Sequence, residues 1–551
     1  MDQAKRLRVC LLVESFSVPA WLACAIRDLI DSSFARVVVV AKHDACWNTG
    51  QYLSKRSWPT IGQFLLALYR KFDELLFPLD LDPSREVNIK PLIGGYPIVS
   101  VRLEQQPGKR TVALDNTTAL LAYDLDVMLA LSNVKVDSGE VARYGVWFHK
   151  YCGNRLHQGN LPGFSEIIRN RRTTCVTLNQ RGSALQTERT IYRSCSSTHK
   201  YSLNKNASQV YWKASKFIIR KLRDVHHWGE AGLDQLGCDL DGRGKVEPEL
   251  RSPDSKHIFK FCAKASGRLC HRGARKVFYR DQWVLAYCIG ETSWPLQHSS
   301  TAKYIRPSKD RFWADPFPVD AGDKVYIFVE EYIYKENKGL IAVIELDERG
   351  QWRNSGPVLN ESYHLSYPFI FKWLDCYYMI PETAEEKAIK IYRCTEFPFK
   401  WELDRIVMEN VRAVDTTLQE IQGTWWMFTN IGGDGFSMHD ELYLFHARTP
   451  FGPWEPHKRN PVKSDVRSAR PAGRLFQRGD HIYRPAQDCS EGIGLAVSIN
   501  RIDFLSPDQF VEKEIARIMP TQKTGIRGIH TVNRAGKFTV IDCLVYKRKF
   551  V

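Results

Sequence analysis

A fivefold recurrence in the C-terminal half constrains this chain most. The segments "DPFPVDAGDKVYIFVEE", "YPFIFKWLDCYYMIPET", "DTTLQEIQGTWWMFTN", "RPAGRLFQRGDHIYRPAQD" and "HTVNRAGKFTVIDC" begin at residues 315, 367, 415, 470 and 530. Each reads as a strand, a tight turn with Gly or Asp, and a second strand. The start-to-start spacings are 52, 48, 55 and 60 residues, and the stretch 280–551 divided by five gives about 54 residues each. That length holds four short strands. Units of this size cannot bury both faces alone, so they stack around an axis as blades. The recurrence predicts an all-β five-bladed propeller over 276–551. A two-sheet sandwich would accommodate the strands, but it would not explain polar residues recurring at matched positions.

In a propeller the innermost strand of each blade lines the central channel, so matched repeat positions converge in space. The first-strand starts are Asp315, Tyr367, Asp415, Arg470 and His530; the second-strand ends are Glu331, Glu382, Asn430, Asp488 and Asp542. Isolated charges are costly to bury, so such a ring is a poor dry core and suits a polar funnel gripping a sugar or a phosphate. Each residue also has an ordinary role. Asp315 before a proline, Asp415 and Asp488 could hold turns, and His530 could be a satisfied core histidine. The reading adopted is catalytic for Asp315, Glu382 and Asp415. It is substrate-binding for Tyr367, Arg470, Arg484, Gln487, Asp488 and His530. Trp313 and Phe317 are expected to wall the site, and Arg470 and Arg484 to keep Asp315 ionised. The 14 cysteines lack CxxC pairs, which predicts free thiols, no metal site and no disulfide framework.

The N-terminal part alternates instead. "RVCLLV" and "ARVVVVAK" read as buried strands around the helical spacing of "PAWLACAIRDLI", and further strand and helix patterns follow. This predicts a multidomain chain: an α/β domain with a parallel, doubly wound sheet over 1–227, a Gly-, Asp- and Pro-rich linker over 228–275, then the propeller. The turn "ESFSVP" lacks the glycine fingerprint of dinucleotide sites, so no nucleotide cofactor is expected. The net charge of +16 favours acidic partners. A phosphorylated or lipid-linked sugar and peripheral contact with an anionic membrane surface fit; no nucleic-acid motif accompanies the charge. The first apolar run is broken by Glu14, and no run approaches the ~18 residues of a membrane span. A cytoplasmic location is the expectation.

The motifs "WADPF", "SYPFIF", "YYMIPET", "VDTTLQ", "RPAGRLF", "HIYRPAQDCSEGIGLAV" and "GIHTVN" resemble the propeller in the N-terminal part of plant glucosamine inositolphosphorylceramide transferases. That propeller is similar to glycoside hydrolase family 43. The resemblance implies three acids: a base Asp in the first blade, a pKa-tuning Asp in the second and an acid Glu in the third. Asp315 matches the base. The second blade starts with Tyr367-Pro368, the best glutamate, Glu382, lies in that same blade, and the third blade offers Asp415. The resemblance thus implies a carbohydrate-active protein of glycoconjugate biosynthesis that transfers or cleaves at an anomeric carbon. The alternative is a non-catalytic binder of a glycan or phosphoinositol headgroup.

A second likeness lies in "YGVWFHKY" and "GNLPGFSEIIRNRRTTCVTL", which resemble the formyltransferase fold. That family implies an Asn-x-His pair and an Asp. His149 matches the histidine, but Trp147 stands at the Asn position and Gln186 at or near the Asp. The resemblance therefore implies a degenerate site. A folate-type formyl donor and an amino-sugar acceptor are implied only if that site works.

Overall fold

The computed structural model describes residues 6–43, 61–105, 112–115, 117–132, 136–137, 141–151, 154–156, 161–182, 188–234, 254–290, 302–347, 349–433, 437–520 and 525–549. The chain divides into two compact units, Met1–Leu269 and Cys270–Val551.

The first unit is built on a ten-stranded sheet. Its centre is five parallel strands, in the spatial order Ile98–Gln105, Ala35–His43, Leu7–Val13, Val127–Ala130 and Val146–Tyr151. The strand order reverses at Leu7–Val13, as expected of a doubly wound sheet. The sheet is mixed, however, where a parallel one was expected: Val112–Asp115 pairs antiparallel at one side, and Thr173–Arg181 and Arg189–Ser197 at the other. Alternate residues of the first strand serve two cores. Val9, Leu11 and Val13 pack with the helices Ala20–Ile30 and Leu203–Trp228, while Cys10 and Leu12 pack on the opposite face. A strand covered on both faces reads as a continuous apolar run, which is what "RVCLLV" is.

Two expectations change here. The stretch read as linker carries an ordered helix, Ser255–Phe278, which buries Ile258, Phe261 and Ala265. The cysteines are not all free thiols: Cys175 and Cys195 stand directly opposite each other on paired strands and form a disulfide. Their partnership follows from hairpin register, which cysteine spacing alone does not encode.

The second unit is a five-bladed propeller. The first blade is Arg311–Asp320, Lys324–Ile333, Lys338–Asp347 and Trp352–Leu359; the second is Ser366–Trp373, Cys376–Glu382, Ala388–Glu396 and Lys400–Glu409. The third runs from Arg412–Ile421 through Thr424–Gly432 and Glu441–Ala447 to Glu455–Pro456, and the fourth from Phe476–Arg478 through His481–Asp488 and Ala496–Leu505 to Phe510–Ile518. The fifth blade is assembled from both ends of the unit. Gly528–Ala535 and Phe538–Arg548 supply its inner strands, and Tyr279–Ile289 and Lys303–Ile305 its outer ones. The pairing of Tyr279–Ile289 with Phe538–Arg548 runs unbroken from Tyr279↔Arg548 to Ile289↔Phe538. This closes the ring and removes an exposed sheet edge.

Candidate active site

A recurring backbone irregularity creates the site. The innermost strands carry a register shift between Ala314 and Phe317, Ser366 and Phe369, Val414 and Thr417, and Ile529 and Val532. In three of these bulges the matched residue is left-handed, with φ 51° at Asp315, 46° at Tyr367 and 53° at Asp415. That conformation is rare outside glycine, and a bulge re-aims its side chain. The repeat thus spends backbone strain to hold these residues out of the ordinary alternation.

Two buried charge clusters result. In the first, His530 Nδ1 lies 3.0 Å from Asp542 Oδ2 and 3.2 Å from Asp315 Oδ1. Thr531 Oγ1 donates to Asp315 Oδ1 at 2.7 Å, the Tyr367 amide donates to Asp315 Oδ2 at 3.2 Å, and the Asp315 amide donates to Asp542 Oδ2 at 3.0 Å. Burial disfavours the imidazolium, but Asp315 and Asp542 outweigh it and push His530 up to about 10. Burial raises Asp315 to about 6 against the pull of His530. Ligand atoms of Asp315, His530 and Asp542 lie within 4.8 Å of one another. This trio could hold a cation, although the sequence suggested no metal site. With His530 protonated, two carboxylates still face one imidazolium, so the trio keeps one negative charge in excess.

In the second cluster, Arg470 Nε donates to Asp415 Oδ2 at 2.5 Å and Nη2 to Asp415 Oδ1 at 3.1 Å, a bidentate pair. The same Nη2 lies 3.4 Å from Glu382 Oε2, and Nη1 lies 2.8 Å from His439 Nδ1. Gln487 Nε2 donates to Asp415 Oδ2 at 2.6 Å. Burial alone would raise Asp415, but the charge and hydrogen bonds of Arg470 hold it below the ordinary carboxylate value. Glu382 goes the other way, pushed up to about 8 by burial and by the Asp415 charge. Burial and Arg470 hold His439 well below the usual imidazole range.

The structure therefore brings together Asp315, Tyr367, Glu382, Asp415, Arg470, Gln487 and His530. Tyr367 lies under the carboxylates: its hydroxyl bonds Thr417 Oγ1 at 2.8 Å and accepts from the Gly473 amide at 2.8 Å. Other assignments fail. Arg484 is spent on Glu512 at 2.6 and 2.8 Å and on the carbonyls of Ser468 and Ala469. Asp488 pairs with Arg517 and the Ser490 amide. Neither reaches the cluster, so His530, and not a pair of arginines, faces Asp315. Trp313 does not wall the site; its Nε1 donates to Glu331 Oε1 in the core.

In the first blade the matched acid lies one residue before the expected Glu331. Cα pairing matches Ala314 with Glu330, Ser366 with Glu382 and Val414 with Asn430. Glu330, not Glu331, is thus the counterpart of Glu382. Burial and the nearby Asp315 charge push its carboxyl well above the ordinary value. A one-residue slip changes the face of a strand residue. Glu330 was legible only by aligning the hairpins backwards from Glu382. His439, from the loop before Glu441–Ala447, had no repeat signal.

In the first unit, Trp147 and His149 are core residues, 1% and 5% exposed. Trp147 Nε1 donates to the Tyr144 carbonyl at 2.9 Å, and His149 Nε2 bonds the Ala214 carbonyl at 2.8 Å. Burial pushes His149 down to about 4. Gln186 lies outside the described residues.

Comparison with known proteins bears on the second unit. A protein of the same name in Oryza sativa subsp. japonica and in Arabidopsis thaliana, "Glucosamine inositolphosphorylceramide transferase 1", is similar to this chain. Identity is 36% over 205 residues and 33% over 218 residues, covering 36% and 39% of this chain. The matches span 27% and 28% of those proteins, so the chain aligns with little more than a quarter of their length. Among solved structures, Zg3597, a family 117 glycoside hydrolase produced by Zobellia galactanivorans, superposes with a TM-score of 0.32 at 12% identity over 49% of this chain and 91% of that one. The propeller part of the chain, residues 292–540, matches the family model "Glucosamine inositolphosphorylceramide transferase 1, N-terminal", the family whose likeness its motifs carried.

Proposed function

We propose that the propeller is a glycosyl-transferring or glycoside-cleaving site, with Glu382 as proton donor, Asp415 as its tuning partner and Asp315 as the ionised carboxylate. One observation carries this reading: adjacent carboxyl groups from different blades are driven apart in proton affinity, Glu382 up to about 8 and Asp415 down. Paired carboxyls with opposed shifts are the usual basis of an acid and base division of labour. At neutral pH Glu382 carries its proton and can deliver it to a departing glycosidic oxygen. Asp415, fixed by Arg470, keeps that proton on Glu382 through its charge. The relatives' name supports a phosphate-bearing, hydroxyl-rich glycolipid head as the substrate class.

Non-catalytic glycan binding is favoured by one specific feature. Both oxygens of Asp315 are engaged internally, by Thr531, His530 and Tyr367, which suits an anchor better than a free base. Glu382→Gln separates the readings. In a panel of nucleotide sugars, aryl glycosides and inositol-phosphate lipids, loss of a proton donor should lower turnover roughly 10²–10⁴-fold with the fold intact. Glycan binding without turnover in either form would leave the binding reading standing. Formyl transfer by the first unit has no comparable support, since His149 is neutral and its Nε2 is taken by a main-chain carbonyl.

A further inference from the structure

The channel has a second mouth, at the far ends of the same innermost strands, about 10–16 Å along them from the carboxylates at ~3.3 Å per residue. It opens into a cavity of about 360 Å³ lined by residues 318–320, 369–372, 418–420 and 534–535, with Tyr377, Trp425 and Arg474. A layer of Phe317 and Tyr367, edge to face at 4.8 Å, lies between it and the carboxylates.

Arg474 is the unusual group here. Its guanidinium donates to the carbonyls of Pro318 at 3.0 Å and Ile370 at 2.8 Å and lies over the rings of Phe317 and Phe369. No carboxylate pairs with it among the described residues, and burial holds it down to about 10. Arg474 is half-buried, and a half-buried guanidinium without a counter-charge gains from an anion that joins it. A mere clamp between two blades would not need an open cavity beside it. Lys372 and Arg534 add positive charge at the exposed rim, whereas Asp320 and Glu420 offer acceptors there. Among the lining residues three cations stand against two carboxylates, with Asp375 just outside them at 3.9 Å from Lys372. Phe371, Leu418 and Trp425 give it an apolar wall, and its volume suits a small ligand.

We propose that this mouth binds a phosphate ester carried on a small hydroxylated ring, with Arg474 taking the oxyanion and the Phe371, Leu418 and Trp425 wall taking the ring. A guanidinium fork matches a phosphate in geometry as well as charge. The inference goes beyond the carboxylate site and stands independently of it.

The test is direct binding to the full chain. Glucose 6-phosphate, with glucose and inorganic phosphate beside it, is titrated calorimetrically. Flotation with phosphatidylcholine vesicles, with and without phosphatidylinositol, forms the second arm. Glucose 6-phosphate should bind more tightly than either fragment if the ligand is a free sugar phosphate. Binding only to the phosphatidylinositol vesicles assigns the phosphate to a lipid head. In either arm Arg474→Gln should weaken binding at least about tenfold, the scale of one charge-assisted contact. Because Arg474 also clamps two blades, the exposed pair Lys372→Gln with Arg534→Gln is measured too, and should weaken binding while keeping the parent unfolding midpoint. Asp415→Asn should keep binding, which separates this site from the carboxylate cluster. Absence of binding in both arms, or binding that every mouth variant retains, overturns the proposal.

Discussion

His149 and His530 are both buried histidines that the sequence marked for chemistry, yet their surroundings drive them in opposite directions. His149 sits between Trp21 and Phe217, with ring centroids at 5.2 and 6.1 Å, and a carbonyl is its hydrogen-bond partner. An apolar shell penalises the imidazolium, so His149 falls to about 4. His530 is equally buried, but two carboxylates touch its Nδ1 and it rises to about 10. Burial amplifies whatever partner is present. The first unit has used its histidine for packing, whereas the propeller has built a charged centre around its own.

That contrast breaks first at Arg470. Arg470→Met strips the bidentate partner from buried Asp415 and leaves an uncompensated charge. The expected loss is about 3–5 kcal/mol of propeller stability, read as a lower urea midpoint for proteolytic fragments of 270–551, with the first unit unmoved. Equal destabilisation of both units would contradict the assignment of the charge network to the propeller.

The next effect works from the other side. The Cys175–Cys195 bond lies in the first unit with a sequence separation of 20. Replacing both cysteines by serine should cost that unit about 3 kcal/mol, measured as earlier cleavage of its fragments in urea. The propeller should respond neither to this pair nor to a reductant.

The smallest and most diagnostic effect is pH dependence. Folding lowers the pKa of His149, so its contribution is complete above the ordinary 6.5 and is lost as pH falls towards about 4. Folding raises that of His530, so its contribution is complete below 6.5 and is lost as pH rises towards about 10. Glu382 acts in the same sense as His530, losing its contribution between the ordinary 4.5 and about 8. Depressed Asp415 opposes them, losing its contribution on acidification. The first unit should therefore weaken in acid and the propeller in alkali. Limited proteolysis at graded pH reads each separately. His149→Gln, which keeps a donor for the Ala214 carbonyl, should remove the acid sensitivity of the first unit alone.

Much of the propeller was legible because it is written five times. The hairpin period fixed the blade count, and the recurrence of Asp315, Tyr367 and Asp415 at matched starts marked residues that meet at the axis. The motifs also carried the family likeness. The α/β alternation of the first unit was readable from buried apolar runs, although not the antiparallel strands flanking its sheet. Those strands depend on which edges pair, and local periodicity is the same in either direction.

Sequence alone settled which residues recur, and therefore which could meet at an axis. Tertiary structure decided which of them do meet. A bulge and a left-handed φ turn Asp315 and Asp415 to the channel, and a one-residue register difference selects Glu330 over Glu331. Arg484 and Asp488, both polar and the latter at a matched strand end, are consumed by Glu512 and Arg517. The division of proton affinity between Glu382 and Asp415 has no sequence signature at all. It arises from Coulomb interactions that change over a few ångströms in a buried setting, and those distances exist only once the blades have closed around the axis.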